Sequence, residues 1–238
     1  MHRLATAVVV VVMAFASSGC SHAETGPITR AEIDFRGFPD GAAPLSFGPG
    51  EASLRSSPSE DAGAQLRIVD GKLTNMPVIE SGTAGYYTSP DLGGTVTDLG
   101  ARWVFTPRGG TPGTMAMLVS QSALDFPFAV HLVITPGTWS FGVWPPHGEP
   151  EQGLQVLQSE AFTAPLAQDG VRVHEARVKI EGERVAIDLP DGQHRVIRDP
   201  RIAAWSGHFA TFEAFSDHGL TDSRAGFTEI WAFSRRVE

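Results

Sequence analysis

Two glutamates near the end of the chain, Glu213 and Glu229, alternate with aromatic residues. Phe209, Thr211, Glu213 and Phe215 would share one face of a strand, and Phe227, Glu229, Trp231 and Phe233 one face of the next. Joined as an antiparallel hairpin centred near Thr221, the two strands would set Glu213 opposite Glu229 and Thr211 opposite Trp231. Facing carboxylates repel each other and apolar surroundings raise their pKa values, so one holds a proton while the other is ionised. Glycosidases work with such an acid and base, which makes Glu213 and Glu229 candidate catalytic residues. An arginine such as Arg102 or Arg177 would instead make either glutamate half of an ion pair.

Aromatic side chains are the second chemical signal. Trp144 runs into Pro145-Pro146-His147, Trp205 lies in a loop-like stretch at 203–207, and Tyr86 and Tyr87 are adjacent. With Trp231 they are the candidate ligand-binding residues, because sugars stack their C–H faces on aromatic rings while carboxylates and amides take the hydroxyls. The competing demand is a core, which also needs large side chains. Eight histidines are scattered without ligand spacing, and the acidic run 217–222 has no calcium-loop pattern, so no metal and no cofactor is expected. His131, between apolar neighbours, reads as a hydrogen-bonded sheet histidine. No Gly-x-Ser-x-Gly or Ser-x-x-Lys motif is present, nor a glycine loop of the phosphate-binding kind.

Strands must position these groups. Glycine (26) and proline (17) punctuate short apolar runs at 31–36, 65–69, 101–106, 114–120, 128–135, 138–144, 171–180, 184–189, 193–197, 209–216 and 227–234. Val130, Leu132 and Ile134 alternate with Ala129, His131 and Val133, a pattern for a sheet with one buried face. Pro190-Asp191-Gly192 and Thr135-Pro136-Gly137 are hairpin signals. Residues 53–64 and 145–153 read as polar loops. The fold class expected is all-β, an antiparallel β-sandwich of one domain over 30–238.

The start of the chain is an address. Met1-His2-Arg3 is a short basic segment, and residues 4–16 are uncharged and apolar with five successive valines. At about thirteen residues this run falls short of the ~20 needed to span a bilayer and suits a signal peptide. Cys20, the sole cysteine, follows at once. Gly19 and Ser18 fit a lipobox, with Ser17 where an aliphatic residue is usual. Cleavage before Cys20 gives a signal peptide of 1–19, a lipid-modified Cys20 and a tether of 20–29. Cleavage after Ala23 gives a free, cysteine-less secreted domain. The expectation is a lipid anchor, palmitate included, on the extracytoplasmic side of the cell membrane, with secretion as the alternative. Residues 1–19 hold one arginine and no acid, so their loss takes the net charge from −9 to about −10. No stretch concentrates lysine or arginine, and nucleic acid is not an expected partner.

The opening Asp34-Phe35-Arg36-Gly37, then Gly41, Pro44 and Val69-Asp70-Gly71-Lys72-Leu73, resembles the start of concanavalin A-like (laminin-G-like) jelly-roll domains. Residues 178–185 and the turn at 189–192 are similar to a later part of that fold, so the resemblance covers about 30–235. It implies a jelly roll, in a group that contains lectins, glucanases, lyases and adhesion modules. The glucanase motif, Glu-x-Asp-x-x-Glu, begins at Glu32 and Asp34 but has Arg36 and Gly37 where the second glutamate belongs. The expected activity is therefore binding of a glycan or glycolipid without catalysis. The alternatives are a carbohydrate-active hydrolase or lyase using Glu213 and Glu229, and a protein-binding scaffold or adhesion module.

Overall fold

The short apolar runs become strands of two packed antiparallel sheets. The computed structural model describes residues 28–44, 53–57, 66–75, 83–106, 113–123, 128–145, 153–216 and 225–235. One sheet holds β1 (Ile28–Asp34), β2 (Gly41–Ala42), β4 (Leu66–Val69), β5 (Lys72–Asn75), β7 (Thr95–Phe105), β12 (His174–Glu181), β13 (Arg184–Asp188), β14 (His194–Arg198) and β16 (Ala225–Arg235). Its order is β14-β13-β12-β7-β16-β5-β4-β2, with β1 also on β16. The other holds β3 (Ser53–Ser57), β6 (Thr83–Thr88), β8 (Thr114–Ser120), β9 (Ala129–Ile134), β10 (Thr138–Trp144), β11 (Gln155–Ala161) and β15 (Phe209–Ser216). Its order is β11-β10-β9-β8-β15-β6-β3.

Period-2 patterning decides which side chains meet between the sheets. Leu99, Ala101, Trp103, Val178, Ile180, Val185 and Ile187 point inward from the first, and Met115, Met117, Val119, Val130, Leu132, Trp139, Phe141 and Phe212 from the second. Phe212 and Phe227 pack edge-on across the interface, with ring centroids 6.1 Å apart. Burying such a side chain fully contributes about 1.5–3 kcal/mol.

Turns close where the sequence marks them. Asp70 and Gly71, at φ 50° and 70°, make the two-residue hairpin from β4 to β5. Gly192, at φ 83°, closes β13 onto β14, with its N–H donating to the Leu189 carbonyl.

Several expectations are corrected. Residues 53–57 pair with β6 as an edge strand rather than forming a loop, and the strand β1 begins at Ile28, inside the stretch expected as tether. Residues 200–205 form a short helix, α1 (Pro200–Trp205), capped by the Asp199 side chain accepting from the Arg201 N–H. β15 and β16 do not form a hairpin. The edges of β15 are taken by β6 and β8, and those of β16 by β7 and by β1 and β5, so the two strands lie in opposite sheets. Phe227 also departs from the face expected for it. A bulge between Phe227 and Glu229 adds a residue to β16, so Phe227 sits in the core while Glu229 and Trp231 turn outward.

Candidate functional site

Separating β15 from β16 dissolves the expected carboxylate pair. Glu229 lies on the outer face of the nine-stranded sheet, where Arg102 Nη1 donates to its Oε2 at 2.7 Å and Arg36 stands 3.9 Å away. Arg102 also donates to Glu175 Oε2 at 2.7 Å, and its guanidinium lies 5.9 Å from the Trp231 ring. Hydrogen bonds from Glu175 and Glu229 raise the Arg102 pKa above its ordinary value. Glu229 is thus half of an ion pair, the alternative that the sequence held open. Trp231 belongs to the same face and is 9% exposed, lying over Gly100.

Glu213 belongs to the other sheet, on the face turned away from the core. Register builds that face rung by rung. Tyr86, Glu213, Ala116, Val133 and Ser140 stand side by side on β6, β15, β8, β9 and β10. The next rung is Thr88, Thr211, Leu118, His131 and Gly142, and Trp144 follows beside Ala129. Strands are about 4.8 Å apart, so β15 and β9 are two spacings from each other across β8. The methyl of Ala116 leaves room there, and Glu213 and His131 approach diagonally above it. His131 Nε2 is 4.0 Å from Glu213 Oε2.

This face is not a solvated one. β8 is buried on both sides, Ala116 and Leu118 are 2% and 1% exposed, and His131 is 7% exposed. Tyr86, Val133, Ser140, Trp144 and Glu213 are half-buried. The alternation of 129–134 therefore separates two buried faces rather than one buried and one wet.

Burial governs the electrostatics. It pushes the Glu213 carboxyl up to about 7 and the His131 imidazole down to about 3, because each charged form loses hydration. The Trp144 indole Nε1–H donates to His131 Nδ1 at 2.9 Å. Indole is a donor only, so Nδ1 must be the accepting nitrogen and the neutral ring carries its proton on Nε2. Nε2 has no hydrogen-bond partner among the described residues, and 4.0 Å is too long for a direct bond to Glu213. The arrangement is a buried donor fixed in direction beside a carboxyl that is easily kept protonated. Such a notch can hold an oxygen.

A glycosidase would need a second carboxylate beside Glu213. Among the described residues of this face there is none, and Glu229 is on the opposite sheet.

The aromatic candidates divide. Tyr86 and Trp144 stand on this face, one on each side of the Glu213–His131 pair. Tyr87 is fully buried in the core, edge-on to Phe35 at 6.5 Å, and Trp205 packs against the core from α1. Burial raises the pKa values of both tyrosines, with the Glu213 charge adding to the effect on Tyr86. Cys20 lies outside the described residues. His131 is the member that sequence reasoning passed over. Its outward parity on 129–134 was legible, but nothing in the sequence pairs β9 with β8 and β8 with β15.

A scan against protein-family models and a search of curated proteins find no match. Solved structures do resemble the chain. The CBM2 module of the Lactobacillus casei BL23 phage J-1 evolved Dit superposes with TM-score 0.57 at 12% identity, covering 90% of this chain and 99% of that one. The catalytic domain of an endo-1,3-beta-glucanase (laminarinase) from Thermotoga petrophila RKU-1 gives 0.57 at 11%, covering 87% and 97%. The Emp46p carbohydrate recognition domain, in its metal-free form, gives 0.53 at 12%, covering 79% and 89%. At such identities the likeness speaks for the fold alone, and the fold it shows is the concanavalin A-like, lectin-like β-sandwich.

Proposed function

We propose that the domain binds a glycan, or the glycan part of a glycolipid, on the outer face of the seven-stranded sheet, and that it does so without catalysis. The observation that carries this reading is the buried, unpartnered His131 Nε2 donor 4.0 Å from Glu213 Oε2, flanked by Trp144 and Tyr86. A buried donor costs free energy until something satisfies it, and aromatic rings beside it supply the stacking surface that sugar rings use. The names of the similar structures, a carbohydrate-binding module, a laminarinase domain and a carbohydrate recognition domain, support the same ligand class.

A glycan array separates the outcomes. The wild-type domain should bind a defined set of glycans, His131→Ala should lose at least tenfold in affinity for them, and Glu229→Gln should bind as the wild type does. Absence of any bound glycan, or binding untouched by His131→Ala, would overturn the reading.

Cys20 completes the proposal as the lipid anchor of an exported domain. Among the described residues no helix is long and apolar enough to cross a membrane, and the reading rests on the segment 1–20. A Cys20→Ala variant should leave the membrane fraction for the soluble one. Retention at the membrane would rule out the anchor.

A further inference from the structure

The hydrogen-bond direction at His131 narrows the ligand further, given that the face binds a glycan at all. Trp144 fills the Nδ1 lone pair at 2.9 Å, so the exposed end of the ring at Nε2 offers a hydrogen and needs an acceptor. Two atoms 4.0 Å apart can both lie about 2.9 Å from a single oxygen, near the ideal hydrogen-bond distance. The walls beside that point are Ala116 and Leu118 below and Val133 at the side, on the same two rungs. They present methyl groups and no polar atom.

From this geometry we infer that the notch recognises an acetamido group of a sugar. Its carbonyl oxygen accepts from His131 Nε2–H and from the Glu213 carboxyl, and its methyl packs on Ala116, Leu118 and Val133. A plain sugar hydroxyl fits worse. Its neighbours on the ring are hydroxyls too, and against Leu118 and Val133 they would lie buried without partners. The acetamido group is the part of a glycan that joins one strong acceptor to an apolar end.

The inference carries a pH dependence with a definite sign. A carbonyl has no hydrogen to give, so it is held by the protonated Glu213 and repelled by the ionised one. Burial places that change at about pH 7, so binding weakens as the pH rises through neutrality. The groups that face Glu213 are Tyr86 on β6 and His131 on β9. β8 and β10 contribute Ala116, Leu118 and Trp144, which do not titrate in this range, and Arg55 of β3 stands opposite Tyr86 in register. His131, pushed down to about 3, stays neutral throughout.

The test is calorimetric titration of the full domain with tri-N-acetylchitotriose and with cellotriose, which has a hydroxyl in place of each acetamido group. At pH 6 the acetylated sugar should bind at least tenfold tighter. The preference should shrink at least tenfold by pH 8.5, and should lose its pH dependence in Glu213→Gln, whose amide still donates. His131→Ala should abolish it. Equal binding of both sugars, lost in His131→Ala, would overturn the acetamido assignment and leave the glycan reading standing. Binding of neither sugar would also overturn the assignment, and the glycan array then decides the broader reading separately. A preference unchanged by both substitutions and by pH would show that acetamido groups are recognised elsewhere.

Discussion

A Glu213→Gln variant should be more stable than the wild type at pH 8 by about 3 kcal/mol and nearly equal to it at pH 4. The sign follows from the direction of the pKa shift. Burial raises the folded-state value from 4.5 to about 7. Below the lower value both folded and unfolded chains hold the proton, and the carboxyl costs little. Between the two values the unfolded chain releases the proton first, so stability falls as the pH rises. Above the upper value both states are ionised and the full penalty is in place, about 3 kcal/mol for a shift of this size. Glutamine keeps the shape and never ionises. Urea denaturation of both proteins at pH 4, 6 and 8 measures the difference directly. His131 runs the other way, since its depressed value costs stability as the pH falls from 6.5 toward 3, but that effect is common to both proteins and cancels. Curves that stay parallel across the range would mean that Glu213 is not a buried, unpaired carboxyl.

Gly207→Ala should cost about 3 kcal/mol or more, enough to threaten folding in a domain of ordinary stability. A Cβ at Gly207 would lie 2.1 Å from the Ser120 carbonyl oxygen, 2.4 Å from its carbon and 2.5 Å from the Gln121 Cα. All three are backbone atoms at the end of β8, so no side chain can swing aside and the strands themselves must separate. Gly207 also accepts from the Val96 N–H at 2.9 Å, which ties the same point to β7 in the opposite sheet. The consequence for the site is direct, because the β8–β15 register sets Ala116 beside Glu213. Gly137→Ala is the matched control. Its added Cβ meets nothing within 4 Å, and a change within about 0.5 kcal/mol is expected. Thermal melts of the two variants that shift by equal amounts would contradict the packing described.

The fold was largely legible because its core strands carry their own pattern. β8, β10 and β15 have the limits that apolar runs at 114–120, 138–144 and 209–216 predict. Strands that escaped notice are those without alternation. β11 is polar along an edge, β6 holds Gly85 between small residues, and β3 is serine-rich. The site was legible only in halves. Glu213, Trp144 and Tyr86 stood out by type and parity, but a partner across two strand spacings depends on which strands become neighbours. The sequence order of β15 and β16 suggested the hairpin, whereas the jelly roll sends consecutive strands to opposite sheets. The bulge at Thr228 was equally hidden, since one extra residue reverses every side chain on one side of it.

The central claim is that His131, held by Trp144 and set beside Glu213, is the recognition point of a glycan-binding face. Nitrogen-15 NMR of the imidazole, with and without tri-N-acetylchitotriose, tests it most directly. The account predicts a neutral ring protonated on Nε2 from pH 5 to pH 8, with the Nε2 resonance moving on addition of the sugar at pH 6. A ring that titrates near 6.5, carries its proton on Nδ1, or does not respond to the sugar would contradict it.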